Sequence, residues 1–160
     1  MAAQKEVLFH VVLVEPEIPA NAGNIGRLCL ATRSALHMVR PLGFFTSDKA
    51  LRRAGLDYWK DVTVYYHDSL EEVMENRDGD KRFFFTSTSG GTPYTKMHYQ
   101  EGDFFVFGKE STGLPPSLLS RFPGKTITIP IIGPVRSHNL ANAVSIIIYE
   151  ALRQVRPELF

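Results

Sequence analysis

A single cysteine, Cys29, rules out an internal disulfide and leaves no Cys-x-x-Cys redox or zinc motif. It falls in the apolar register of a helical stretch and reads as a small buried hydrophobe. Long hydrophobic runs are lacking as well: none reaches the roughly 18 residues of a membrane-spanning helix. The N-terminus Met1-Ala2-Ala3-Gln4-Lys5-Glu6 has no charged-then-apolar signal layout, so a soluble, cytoplasmic protein is expected. Neither sign of charge dominates. With 18 Lys+Arg against 17 Asp+Glu the formal net charge is +1, and any basic surface for nucleic acid has to be local. His10, His37, His67, His98 and His138 are scattered without metal-ligand spacing such as H-E-x-x-H, so no metal is expected. No nucleophile triad stands out.

Two common phosphate-binding signatures are missing. Gly108-Lys109-Glu110-Ser111 follows an apolar strand, yet Gly102 lies one residue too far back for G-x-x-x-x-G-K-[ST], and Glu110 stands where Ser or Thr would hold magnesium. No G-x-G-x-x-G follows a strand, which removes support for a dinucleotide-binding Rossmann site.

What is present is an alternation of short apolar runs with helical patterns, without repeats or linkers, over one domain spanning residues 1–160. Val7 to Val14 is almost continuously apolar and ends before Pro16, the mark of a central parallel strand buried on both faces. Asn24 is placed to cap a helix carrying Ile25, Leu28, Cys29, Thr32 and Leu36 on one face. Further strands are expected at 37–40, 62–66, 81–86, 104–107 and 126–129, with a helix after Asp68 or Ser69 and another from about Asn139 to Val155. The fold class is therefore α/β, a mostly parallel sheet flanked by helices. Ligands of such sheets bind at the carboxyl ends of strands, which directs attention to the loops after Val14, Phe85, Phe107 and Ile129.

Three segments carry unusual polar content. Pro16-Glu17-Ile18-Pro19-Ala20-Asn21-Ala22-Gly23-Asn24-Ile25-Gly26-Arg27 is a stiff loop leading into a helix whose N-terminus favours anions, although a capped turn with a surface arginine also accounts for it. Gly108 to Pro115 is the second segment, equally compatible with a plain strand-to-helix turn carrying a surface Glu110. Ile129-Pro130 through Arg136-Ser137-His138-Asn139-Leu140-Ala141-Asn142 is the third, where Ser137 or Asn139 could simply cap the last helix. Around Arg52, Arg53, Tyr58 and Trp59, basic residues mix with aromatics suited to phosphates and bases, or to a solvated amphipathic turn.

Together these segments resemble the SPOUT class of methyltransferases, with wording close to its small TrmL/YibK-like members, which methylate the 2'-OH of the tRNA wobble residue. Pro16-Glu17-Ile18-Pro19 with Asn21-x-Gly23-Asn24-x-x-Arg27 is similar to the first family motif, Phe107-Gly108-x-Glu110-x-x-Gly113-Leu114-Pro115 to the second, and Ile129-Pro130 through Arg136-Ser137-x-Asn139-Leu140-x-Asn142-Ala143-Val144 to the third. Arg40-Pro41-Leu42-Gly43-Phe44 and Leu51 to Tyr58 extend the likeness over nearly the whole chain.

The resemblance implies a C-terminal deep trefoil knot, a homodimer packed through the first and last helices, and S-adenosylmethionine as cofactor. It implies cofactor contacts at Thr86, Gly108, Ile129, Ile131, Ser137 and His138, and a reaction centre of Arg27, Asn21, Glu110, Ser137 and Asn139. Arginine is effectively always protonated, so Arg27 is expected to position and stabilise charge rather than act as a base. Arg136 and Arg52 or Arg53 are the expected tRNA-phosphate contacts. With no added RNA-binding domain in these residues, recognition is expected to come from the catalytic dimer, favouring an anticodon stem-loop. The alternatives are a 2'-O-methyltransferase acting on ribosomal RNA or another tRNA position, and a catalytically silent knotted RNA-binding dimer.

Overall fold

The computed structural model describes residues 6–47, 49, 51, 53, 58–75 and 79–160. Seven strands form one sheet in the order β3-β2-β1-β6-β4-β7-β5, and every neighbouring pair is parallel. They are β1 (His10–Val14), β2 (Ala35–Val39), β3 (Val64–His67), β4 (Phe83–Thr86), β5 (Thr92–Pro93), β6 (Phe104–Phe107) and β7 (Thr126–Thr128). The apolar run of β1 lies between β2 and β6 and is covered on both faces, which is why it shows no polar alternation.

Helices whose bounds lie within the described residues cover the sheet: α1 (Pro19–Ala31), α2 (Leu70–Met74), α3 (Pro116–Leu119) and α4 (Leu140–Val155). Alternate residues of each strand supply two cores. Val11, Leu13, Leu36, Met38 and Phe105 pack with Ile25 and Cys29 of α1 and with Val144, Ile147, Ile148 and Ala151 of α4. Val12, Val39, Phe104 and Val106 face the other way, toward Leu70 and Val73 of α2 and toward Leu114. Among the described residues no helix is long and apolar enough to cross a membrane.

Several boundaries differ from the sequence expectation, each for a local reason. Helix α1 starts at Pro19 rather than after Asn24. Proline suits a first helical turn, where its missing N–H costs nothing, and Ile18 before it is extended. The helix then stops at Ala31, and Leu36 belongs to β2. Ser69 caps α2, its Oγ accepting from Glu72 N at 3.3 Å. Asn139 caps α4 by accepting from Asn142 N at 3.2 Å. Strand β5 is two residues long, contains a proline and lies at the sheet edge; no periodic pattern announces so short a strand.

A polar line crosses the second face. His67 pairs with Val39 and His37 with Val12, so each histidine sits two residues further along its strand than the last, on the same side of the sheet. His10 Nδ1 lies 2.9 Å from His37 Nε2, and His37 Nδ1 lies 2.9 Å from His67 Nε2. His67 Nδ1 ends the row 4.0 Å from Glu72 Oε2. Burial, reinforced by the Lys81 charge, lowers His10 to about 4; burial and the neighbouring His10, His67 and Lys81 lower His37 to about 3.

Candidate active site

The first and second loops leave the carboxyl ends of the adjacent strands β1 and β6, and two carboxylates fasten them reciprocally. Glu110 accepts from the backbone N–H of Glu17 at 2.7 Å and of Ile18 at 3.1 Å, and from Asn21 Nδ2 at 3.3 Å. Glu17 in return accepts from Ser111 N at 3.0 Å and from Ser111 Oγ at 2.7 Å. Helix α1 has no side-chain cap of its own, so Glu110 supplies a negative charge to its N-terminus from across the site.

The third segment joins through Asn21, which is 5% exposed. Its amide must turn nitrogen toward the Glu110 carboxylate, leaving its oxygen to accept from Asn139 Nδ2 at 3.0 Å. Asn139 thus caps α4 with one amide atom and ties α4 to α1 with the other.

Two glycines make the loops possible. A Cβ on Gly108 would lie 2.1 Å from Gly113 C and 2.3 Å from Leu114 N, so the second loop folds back on itself only without one. Gly113 completes that turn at φ +67, donating its N–H to Lys109 O. Gly43 braces the first loop from behind: its N–H donates to Pro16 O, and a Cβ there would meet Glu17 Cα at 2.8 Å.

These loops enclose a cleft of about 770 Å³, a volume suited to a nucleoside-sized ligand. Thr86, Gly108, Ile129, Ile131, Ser137 and His138 all line it, as do Asn21, Glu110, Asn139 and Arg136. Leu114, Leu119, Ile127, Leu140 and Ala143 give it apolar walls, while Ser87, Thr88 and Ser89 bring hydroxyls. Ile131 makes no backbone hydrogen bond among the described residues, so its N–H and C=O are open to a ligand edge. Apolar walls with open backbone polar groups fit an adenine ring and its ribose, and explain how such a ligand could be held without a glycine-rich phosphate loop.

The other expected residues lie apart. Arg27 does not line the cleft; it is exposed on α1 with its guanidinium carbon 4.8 Å from the ring centre of Tyr58. Arg53 is exposed and away from the cleft, and Arg52 lies outside the described residues. Arg136 stands at the rim, donating to Ser111 O at 3.5 Å. Sequence reasoning missed the Glu17–Ser111 clasp, the packing of Gly43 and the Arg27–Tyr58 stack. Each joins segments tens of residues apart, and no local pattern carries that information.

A parallel α/β sheet with three loops clasped around one cleft at its carboxyl end defines a ligand-binding α/β enzyme, and the chain belongs to the SpoU rRNA Methylase family, whose model matches residues 8–149. A Bacillus subtilis (strain 168) protein is 52% identical over 151 residues, and the tRNA (cytidine(34)-2'-O)-methyltransferase of Escherichia coli (strain K12) is 44% identical over 149; each comparison covers 92% of this chain and 94% of the relative. A solved structure reported as structural insights into the 2-OH methylation of C/U34 on tRNA superposes with a TM-score of 0.87 at 47% identity, covering 93% of this chain and 97% of that one. An AdoMet-bound rRNA methyltransferase from Sinorhizobium meliloti superposes with a TM-score of 0.82 at 25% identity, over 92% of this chain and 57% of that longer chain.

Proposed function

We propose that this chain is an S-adenosylmethionine-dependent 2'-O-ribose methyltransferase that modifies nucleotide 34, cytidine or uridine, of a tRNA anticodon stem-loop. The observation that carries the reading is the convergence of three distant motifs on one cleft, in a chain similar over nine-tenths of its length to an enzyme of that name. The work is proposed to take place in the cytoplasm, in a single domain spanning residues 1–160, with the segment after Ile129 threading the preceding loop as a trefoil knot.

In this reading Thr86, Gly108, Ile129, Ile131, Ser137 and His138 hold the cofactor, which supplies a methyl group made electrophilic by its sulfonium. Held there, the cofactor would supply its sulfonium methyl to the ribose 2'-oxygen and leave as the neutral thioether, with the hydroxyl proton passing to water. Such a displacement needs the oxygen in line with the methyl carbon, so positioning supplies much of the rate. Arg27 orients the ribose and stabilises the developing alkoxide. Asn21, Glu110 and Asn139 keep the loops closed around it, with Ser137 beside them. Arg136, Arg53 and Arg52 contact tRNA phosphates.

The protein is proposed to act as a homodimer packed through α1 and α4. Tyr149 of α4 is 43% exposed, and Ala20, Asn24 and Ala31 are outward-facing on α1 at helical spacing, a surface a second copy would cover.

The testing experiment is transfer of labelled methyl from S-adenosylmethionine to tRNA from cells lacking wobble methylation, with the product mapped by nuclease digestion and mass spectrometry. A 2'-O-methyl mark at nucleotide 34 is the expected result. The matched family is described by ribosomal RNA, so transfer to ribosomal RNA with none to tRNA would move the substrate assignment there.

A further inference from the structure

Arg27 has five N–H donors, and among the described residues it makes no hydrogen bond and no ion pair. Its protein contact is the face of Tyr58, 4.8 Å from guanidinium carbon to ring centre. A second arginine-tyrosine stack among the described residues is built differently. Arg40 lies 5.2 Å from the Tyr66 ring but also donates to Asp68 at 3.3 Å, so a carboxylate fixes it. A guanidinium resting on a ring keeps all its edge donors available, whereas one paired with a carboxylate has at least one engaged.

The ring itself is pinned to α1 by its neighbour. Tyr58 precedes a short 3-10 turn, Trp59–Asp61, closed by Asp61 N donating to Tyr58 O at 2.9 Å and Val62 N to Trp59 O at 3.2 Å. Trp59 fills the space left by the absent side chain of Gly26: a Cβ there would lie 2.6 Å from the indole Cζ3. Consecutive residues of α1, Gly26 and Arg27, thus meet consecutive residues of the turn, Trp59 and Tyr58. The tryptophan sets where the turn sits, and the tyrosine is thereby held under the arginine.

We infer that Tyr58 is a positioning residue for Arg27: it holds the guanidinium in one orientation by its π face and leaves every N–H free for the substrate ribose and phosphate. This rests on the assignment of Arg27 to the reaction centre made above. Trp59 and Gly26 act one step further back, as the seat of the ring.

Three variants and one spectroscopic observation test it in the full chain. Tyr58→Phe keeps the ring, and its kcat with saturating S-adenosylmethionine and tRNA is expected to stay within about twofold of the parent, as a stack that needs only the π face predicts. Tyr58→Leu is expected to lower kcat about threefold to fivefold, the effect of losing a cation–π contact at an exposed site. Its cofactor affinity by calorimetry, its thermal midpoint and its KM for tRNA should stay near the parent's. In an Arg27→Ala background the Tyr58→Leu change should have no further effect on rate, because the two act as one unit. Independently of activity, the Arg27 side-chain NMR resonances should carry an upfield ring-current shift that Tyr58→Phe preserves and Tyr58→Leu abolishes.

A Tyr58→Leu enzyme with unchanged kcat but a raised KM for tRNA would overturn the inference and make Tyr58 an RNA contact. Loss of the ring-current shift without any loss of kcat would overturn it too. Full turnover by Arg27→Ala would instead remove Arg27 from the reaction centre, a failure of the functional reading that the NMR result would leave visible as such.

Discussion

Glu110 shows how a residue's contacts decide between two chemical roles. A carboxylate beside a proposed methyl-transfer centre invites the role of proton acceptor, yet both its oxygens already accept N–H groups from Glu17, Ile18 and Asn21. A group so occupied holds a loop. Replacement by alanine leaves those donors to water or to nothing, and since two of the three bonds are partly buried and the third is exposed, the expected cost is about 1–2 kcal/mol of unfolding free energy, measured in urea. Glu110→Gln is more discriminating. Its amide nitrogen would face N–H donors, so stability and cofactor affinity should fall together; a variant with unchanged stability and affinity but no turnover would restore the role of base. Gly108→Ala makes the same point through sterics. Its methyl would collide with the backbone of Gly113 and Leu114, and cofactor binding by calorimetry is expected to be lost. Arg27→Lys replaces a planar fork by a point charge, and turnover is expected to fall at least about tenfold if bidentate orientation matters.

At the scale of elements, the three strands β1, β2 and β3 are coupled by the row His10, His37 and His67. A neutral imidazole donates through one nitrogen and accepts through the other, so the row has a direction, and Glu72 at its end favours the arrangement in which each ring donates toward the carboxylate. The sign of the pH effect follows. In the unfolded chain these histidines titrate near 6.5, whereas His10 and His37 are held down at about 4 and about 3, by burial first and Lys81 and the neighbouring rings second. Above about pH 6.5 both states are neutral here and the row contributes in full. Below it the unfolded chain binds protons that the fold refuses, and stability falls until the folded groups protonate. With two such groups the steepest slope is about 2.7 kcal/mol per pH unit. Urea unfolding at a series of pH values from 7.5 to 4.5 should show this loss, and His37→Leu should flatten it; an equally steep curve in that variant would place the acid sensitivity elsewhere. None of this was legible in the sequence, where the histidines are 27 and 30 residues apart. Elements with a strong periodic or apolar signature, such as β1, β6 and α4, were legible. Helix α1 was misplaced at its start because Asn24 was read as its cap, whereas Pro19 opens the helix and no side chain of its own caps it.

For the whole molecule, the α/β class and the parallel sheet followed from the alternation of buried strands with amphipathic helices, because that pattern leaves few ways to cover both faces of a sheet. Residues lining the cleft were named ahead of the structure by resemblance to a family, since composition and spacing alone left each motif open to a bland alternative. The clasp that joins those motifs was not legible, being made of contacts between loops that are distant in sequence and adjacent only across β1 and β6. Substrate binding poses the remaining whole-molecule question. A formal net charge of +1 gives a weak overall field, so attraction for tRNA has to come from a few local cations. Arg136 at the rim and Arg53 outside it are the described candidates, and neither is engaged by a carboxylate among the described residues. Each phosphate contact adds about 0.7–0.9 to the slope of log affinity against log salt. Affinity for tRNA measured from 50 to 300 mM salt should therefore fall along a shallow line for the parent, and Arg136→Gln should lower the slope by about that one increment. Equal slopes for parent and variant would mean that Arg136 does not touch phosphate and that its contact with Ser111 O serves the second loop alone. A slope near zero in the parent would mean that base contacts and stacking, rather than the backbone, carry recognition of the RNA.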